Sequence, residues 1–234
     1  PRAFNPSEGL IVTANNRAVP EGHPHHISTN WEPGYRAQRI LERLYAVNAL
    51  SADDFARAHA DVQSAQVPAI LPWMLQQVTA REEAGRAALD QLRAWDGQLT
   101  RESVGAAVFM HWYRRATRGL WEDDLGDGVW ADYAALPHWG GKAFHRLVRR
   151  GETTWCDDRR TAAVESCGDV LSHALTLAVA DMRDTFGTDE QARWTWGRAN
   201  SVTFAHLPLE AVPGVRRVFS RRAEHVGHAF TVSP

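Results

Sequence analysis

The sequence predicts a mainly α-helical protein with a few short strands, on three observations. Between residues 36 and 200, apolar side chains recur at the three- and four-residue spacing of helices, and capping residues stand before several segments. Near the start, residues 9–16 form an apolar run typical of a buried strand. Residues 201–234 return to short extended pieces broken by prolines. We therefore expect a single unit in which a helical lobe lies between two strand regions.

The individual helices are predicted from their periodicity and from the residues that begin and end them. Ser51 and Asp54 match a capping box, Thr188 and Gln191 match another, and Thr100 is suited to be a cap. The predicted helices cover residues 36–47, 52–60, 68–80, 81–94, a segment from Thr100 through Trp112, 129–136, 141–149, 161–186 and a short stretch reaching Trp194. The predicted C-terminal strands cover residues 202–206 and 215–219.

Composition excludes several classes of function. A chain of 234 residues with 44% hydrophobic residues is long and apolar enough to bury a core. Its 26 basic and 28 acidic side chains nearly cancel, and the arginines form only isolated pairs, so we predict no nucleic-acid partner. No apolar stretch reaches the length of a bilayer span, and the polar start does not resemble a signal peptide, so we predict no membrane partner.

Two polar side chains near the start are suited to stabilising an anion. Asn15 ends the apolar run, and an amide fixed at the end of a strand can donate to an oxyanion without reorganising during a reaction. The alternative for Asn15 is a polar strand end or an Asx turn. Arg36 lies in the first turn of the first predicted helix, where the alternative is an ordinary surface arginine. Arg39, one turn further on, is interpreted as a surface arginine.

These residues, with Trp155-Cys156-Asp157-Asp158 and Trp194-Thr195-Trp196-Gly197, resemble the catalytic chain of the penicillin acylases, which are N-terminal nucleophile amidohydrolases. The resemblance covers about Gly9 to Val232 and matches a middle stretch of the catalytic (beta) chain. It implies the helical part of an αββα fold, with Asn15 in the oxyanion hole and Arg36 near the active site.

The resemblance also implies an activity and a setting. The activity would be hydrolysis of small N-acyl amides, such as penicillins, cephalosporins or acyl-homoserine lactones, through an acyl-enzyme. The enzyme would be a periplasmic or secreted zymogen that cuts itself into a smaller alpha chain and the catalytic chain. Partners of this chain would then be the alpha chain and the remaining segments of the catalytic chain.

The first residue bears on that activity. The family requires a serine, threonine or cysteine there, because the free α-amine is the base that activates the neighbouring hydroxyl or thiol. Here the first residue is Pro1, so we expect a piece of a longer protein that is inactive by itself. The runner-up from another class is a helical interaction module without catalytic function, in which Asn15 and Arg36 are surface groups.

No metal or cofactor is predicted. The imidazoles of His23-Pro24-His25-His26 lie on an irregular segment without a fourth ligand, and the run Asp123–Gly128 lacks two ligand positions of an EF-hand loop. Several penicillin acylases take a calcium ligand, an aspartate, from the segment between Asn15 and Arg36. A structural calcium stays an alternative for the parent enzyme, but this sequence has no aspartate there and does not support it.

Cys156 and Cys167 are the two cysteines, with ten residues between them. Two alternatives stay open, a disulfide bond or a pair of buried thiols. Export, which the resemblance implies, would favour the bond, because disulfides persist in oxidising compartments.

Overall fold

The computed structural model describes residues 2–135, 137–212 and 214–234, and Pro1 lies outside them. Its described part is mainly helical, as predicted. The helices are α1 (Tyr35–Tyr45), α2 (Ala52–His59), α3 (Gln66–Gln77), α4 (Glu83–Ala94), α5 (Val104–Ala134), α6 (Pro137–Arg150), α7 (Cys167–Phe186), α8 (Trp196–Ala199) and α9 (Arg216–Phe219). The strands are β1 (Ser201–Phe204) and β2 (Arg221–Glu224), and 3-10 turns cover Thr153–Cys156, Gln191–Arg193 and Leu209–Ala211.

The core forms around the packed pair α5 and α7, with α3, α4, α6 and α8 packed around them. Trp112 of α5 is fully buried, and its indole Nε1 donates to the backbone carbonyl of Leu171 in α7 at 2.9 Å. That bond satisfies the one polar atom of a large apolar side chain, so the indole is buried without losing a hydrogen bond. The main core therefore lies between α5 and α7, and a smaller cluster forms around Tyr35, Ala65 and Phe230.

Capping residues set the helix boundaries. Ser51 and Asp54 form the predicted capping box at the start of α2. The longest predicted helix, residues 161–186, instead begins at Cys167, because Ser166 and Asp169 form a capping box there. The Thr188–Gln191 box is not formed, since the turn Gln191–Arg193 has no side-chain cap.

Helix α5 is longer than predicted. Ser103, not Thr100, caps it by accepting from the Ala106 backbone N–H at 3.1 Å. It runs on through Asp123–Gly128 and includes residues 129–134 of the predicted helix 129–136, whose last residue lies outside the described residues. Gly126, with φ 68° and ψ 163°, kinks it, a backbone conformation that glycine adopts without a Cβ clash. The kink divides α5 into two helical parts, and the predicted helix that starts at residue 129 lies in the second part.

The C-terminal sheet is a two-stranded antiparallel pair in which Ser201 lies opposite Glu224 and Phe204 opposite Arg221. This confirms the first predicted strand in part, since β1 begins one residue before the predicted range 202–206 and ends two residues before that range does. The predicted strand 215–219 is wrong, because that segment contains the helical turn α9 and the chain pairs two residues later. Strand preference does not specify which segment finds a partner.

The predicted strand 9–16 is not formed among the described residues. The segment makes a single parallel bridge, between Asn16 and Glu32, and Ile11 is 66% exposed. A strand needs a neighbour for its backbone hydrogen bonds, and no described segment runs alongside residues 9–15. An apolar run alone therefore did not produce a strand here.

Cys156 and Cys167 are joined by a disulfide bond, with their Cα atoms 4.8 Å apart. The bond ties the 3-10 turn Thr153–Cys156 to the first residue of α7. Across the described ranges, no helix is both long enough and apolar enough to cross a membrane.

Candidate active site

Asn15 lies in a fixed turn of the N-terminal segment. Its backbone has a left-handed φ of 60°, which asparagine tolerates better than other residues with a Cβ. Its carbonyl oxygen accepts from the backbone N–H of Glu32 at 2.9 Å, and the side-chain oxygen of Asn16 accepts from the Ala14 N–H at 3.0 Å. These two hydrogen bonds hold the backbone on both sides of Asn15.

Arg36 brings a cation to that side chain. It is the second residue of α1, and its Nη2 donates to Oδ1 of Asn15 at 2.8 Å. A cation in a first helical turn opposes the helix dipole, and the first turn of α1 contains no acidic residue that would offset this. The structure thus brings together the two residues that the sequence singled out, twenty-one positions apart.

This contact orients the Asn15 amide. A guanidinium only donates hydrogen bonds, so the amide oxygen must face Arg36 and Nδ2 must point the other way. Within the described ranges, Nδ2 has no hydrogen-bond partner and Asn15 is exposed. The arrangement presents an amide N–H donor, backed by a positive charge, to the open side of the turn. Such a donor is suited to a developing oxyanion.

Arg39, which the sequence predicts on the surface, is partly exposed and forms an ion pair, and this distinguishes it from Arg36. Its Nε and Nη2 donate to both carboxylate oxygens of Asp61 at 3.0 and 2.8 Å. The Asp61 side chain is only 8% exposed, and its hydrogen bonds raise the pKa of Arg39. Arg36 has no carboxylate within ion-pair distance among the residues described. Arg39 therefore serves structure, while the charge of Arg36 is left for another anion.

The structure adds two residues that sequence reasoning missed. The hydroxyl of Tyr35, adjacent to Arg36, lies 2.6 Å from Nδ1 of His145 in α6. The two rings meet edge to face with centroids 5.4 Å apart. Because 110 positions separate them, no local pattern links them. The one sequence feature that could have pointed to Tyr35 is its place as the aromatic first residue of the helix that carries Arg36.

The histidine segment shows no metal geometry. The rings of His23 and His25 meet edge to face, with their centroids 5.9 Å apart. Within the described parts of the chain, no three His, Cys, Asp or Glu side chains are grouped so as to hold a metal ion.

A cavity of about 560 Å³ lies elsewhere, between α5 and α7. Its lining includes the ion pair of Arg115 with Asp181 and the ring of His228, and it does not include Asn15 or Arg36. Burial lowers the pKa of His228 to about 4, so its ring is neutral at neutral pH.

Comparison with known proteins decides the family. A sequence profile described as penicillin amidase matches residues 1–233, nearly the whole chain. The chain belongs to the penicillin amidase family. The resemblance inferred from the motifs is confirmed.

Relatives within the penicillin amidase family are acylases. The chain is 32% identical over 227 residues to the penicillin acylase 2 proenzyme of Pseudomonas sp. (strain SE83), covering 90% of this chain and 26% of the relative. It is 29% identical over 219 residues to the acyl-homoserine lactone acylase QuiP of Pseudomonas aeruginosa, covering 86% of this chain and 26% of the relative. This penicillin amidase chain thus spans about a quarter of the length of the curated relatives it matches.

Proposed function

We propose that this chain is part of an amidohydrolase that cleaves N-acyl amide bonds through an acyl-enzyme, and that it supplies the oxyanion donor. The observation that carries the proposal is the contact between Arg36 and Oδ1 of Asn15 at 2.8 Å. In amide hydrolysis, negative charge develops on the carbonyl oxygen, and a pre-oriented N–H donor stabilises it. The Asn15 amide is such a donor.

Arg36 has two effects in this proposal. It fixes the orientation of the Asn15 amide, so that the donor N–H needs no reorganisation when the oxyanion forms. Its positive charge also polarises the amide and adds a long-range attraction for the oxyanion. The helical interaction module, the runner-up, gives no reason for a first-turn cation without an acidic partner.

The proposal includes a setting for the chain. The relatives carry the names of acylases and one is called a proenzyme, which supports a precursor cut into chains. The partners would be the remaining segments of the catalytic chain and a smaller alpha chain, with this chain providing the helical part of an αββα fold. The Cys156–Cys167 bond supports a periplasmic or secreted enzyme, because disulfides are rare in reducing compartments.

The test is substitution of Asn15 in the complete, processed enzyme. Asn15→Ala should lower the acylation rate by about a hundred- to a thousandfold, the usual loss when one oxyanion donor is removed. Release of aniline from chromogenic phenylacetyl, aliphatic and glutaryl anilides gives the rate and the preferred acyl group.

Asn15→Gly is the matched control for the backbone. Glycine adopts the left-handed φ of this position freely, so this variant loses the amide without the strain that alanine adds. The acylation rate should fall by the same factor in both variants. The melting temperature of Asn15→Gly should equal that of the unsubstituted enzyme. Full activity in a correctly processed Asn15→Gly enzyme would refute the oxyanion assignment.

A further inference from the structure

We infer that the hydrogen bond between Tyr35 and His145 is a positioning device for the oxyanion site, acting through Arg36. The inference rests on the proposed function, because it concerns the same site. Tyr35 and His145 are positioning residues, since neither contacts Asn15 in the structure.

One face of α1 is held to the rest of the chain by side-chain contacts. Tyr35, Arg39 and Arg43 are spaced four apart and therefore lie along one face of the helix. The Tyr35 hydroxyl is 2.6 Å from His145, while Arg39 and Arg43 reach Asp61 at 2.8 and 3.3 Å. These contacts fix the rotation of α1 about its axis.

Arg36 depends on that rotation. It follows Tyr35 directly, so it projects about 100° around the helix from the face that is held. The first turn has no side-chain cap, because Gly34 occupies the cap position. Among the described residues, Tyr35 is therefore the side chain that ties the start of α1, nearest to Arg36, to another helix.

The environment of Tyr35 and His145 favours the uncharged form of both side chains. Tyr35 is 5% exposed, and its ring also meets Phe230 edge to face at 5.7 Å. Burial raises the pKa of the Tyr35 hydroxyl above its ordinary value, and burial together with Arg149 lowers that of His145. A protonated hydroxyl and an uncharged imidazole share the hydrogen bond without introducing a second charge beside Arg36.

Loss of this bond should loosen the first turn. The Arg36 guanidinium would then no longer be fixed 2.8 Å from Oδ1 of Asn15. Small displacements of groups that act on a reacting centre reduce rates by up to two orders of magnitude. We therefore expect an effect on turnover rather than on substrate binding.

The experiment uses Tyr35→Phe in the complete, processed enzyme, which keeps the ring packed on Phe230. We expect kcat to fall about tenfold and KM to change by less than about twofold. Tyr45→Phe is the matched control, since Tyr45 ends the same helix, is 57% exposed and should leave kcat unchanged.

Two further measurements separate positioning from simple stability. In an Arg36→Ala background, Tyr35→Phe should cause no additional loss of kcat, because its effect passes through Arg36. His145→Asn keeps a hydrogen-bonding group near the place of Nδ1 and should retain most of the rate, while His145→Leu should match Tyr35→Phe.

The outcomes distinguish this inference from the proposed function. Normal kcat in Tyr35→Phe, or the same fold loss with and without Arg36, would overturn the positioning role. If Tyr35→Phe proves too unstable to assay, equal rates for His145→Asn and His145→Leu would overturn it. Full activity of Asn15→Gly would instead refute the oxyanion proposal itself.

Discussion

At the scale of single residues, the site depends on two unfavourable local features. Asn15 holds a left-handed backbone, and Arg36 places a positive charge at the positive end of a helix dipole. Each feature costs local stability, and the hydrogen bond between them offsets some of that cost. Residues that violate local preferences in a well-packed chain often mark function. That argument supports the pair independently of any resemblance.

His228 gives a prediction for the pH dependence of stability. Burial lowers its pKa to about 4 in the folded chain, against an ordinary value of 6.5. Between these values the unfolded chain binds more protons, so stability is fully present above pH ~6.5 and is lost as the pH falls towards 4. We expect the melting temperature to fall across this range, and to fall less in His228→Gln. Thermal unfolding followed by circular dichroism measures both.

The control for His228→Gln is His173→Gln, because His173 is exposed on α7. That substitution should leave the pH profile of the melting temperature unchanged. Identical profiles for the wild-type chain and His228→Gln would show that burial of the His228 ring does not contribute to the acid sensitivity.

The sequence singles out Asn15 and Arg36 but not the residues that anchor α1, the helix that carries Arg36. Both had a chemical reason to be singled out, an amide after an apolar run and a cation in a first turn. Asp61, Tyr35 and His145 act through contacts made across the fold, with separations of 22 positions for Arg39–Asp61 and 110 for Tyr35–His145. Local pattern does not encode such pairs, so a single sequence does not reveal them.

At the scale of elements, one of the three predicted caps is confirmed, at Ser51, while those at Thr100 and Thr188 are wrong. The Ser51 box began α2 as predicted, because its two reciprocal hydrogen bonds are local. The predicted start of α7 lies six residues too early, because Ser166 ends the preceding loop and its capping box with Asp169 begins the helix at Cys167. Residues 9–16 fail as a strand because strand formation needs a partner segment, and the sequence does not show where that partner is.

The loop before α7 gives a prediction about the disulfide bond. Cys156 and Cys167 close a loop of 11 positions, which by the chain-entropy estimate contributes about 3 kcal/mol to the free energy of unfolding. Cys156→Ala/Cys167→Ala should therefore lower that free energy by about 3 kcal/mol in urea unfolding. Mass spectrometry of the non-reduced chain should show two hydrogens missing.

Two results would count against this prediction. Free thiols at both positions in protein taken from its native compartment would remove the bond. A reducing agent that leaves the urea midpoint unchanged would show that the bond adds no stability. The control is the double alanine variant, whose urea midpoint should not change with the reducing agent. This separates loss of the bond from other effects of the reagent.

At the scale of the whole molecule, the C-terminal segment secures the N-terminal site. Phe230 packs on Tyr35, and the backbone N–H of Ser233 donates to the carbonyl of Asp61 at 3.0 Å. Asp61 in turn holds Arg39 through its carboxylate. Residues near opposite ends of the chain therefore fix α1, the helix that carries Arg36. Loss of the C-terminal segment should affect the site more than its distance in sequence suggests.

The last prediction is that this chain by itself hydrolyses no amide. Hydrolysis through an acyl-enzyme needs a nucleophile activated by an adjacent base. Both cysteines are in the disulfide bond, and among the described residues no serine or threonine is hydrogen-bonded to Asn15 or Arg36. The proposed oxyanion donor Asn15 would then have no oxyanion to stabilise, and Arg36 would at most bind a carboxylate weakly.

The measurement is release of aniline from phenylacetyl, aliphatic and glutaryl anilides by the purified chain, with the complete, processed enzyme as the positive control. We expect no turnover above buffer, because binding a substrate without a nucleophile does not lower the barrier to reaction. Turnover that survives repurification and disappears when a residue of this chain is substituted would reveal a second, internal catalytic site. Asn15→Gly in the isolated chain separates the two cases, since it would abolish activity at the Asn15 site and spare activity elsewhere.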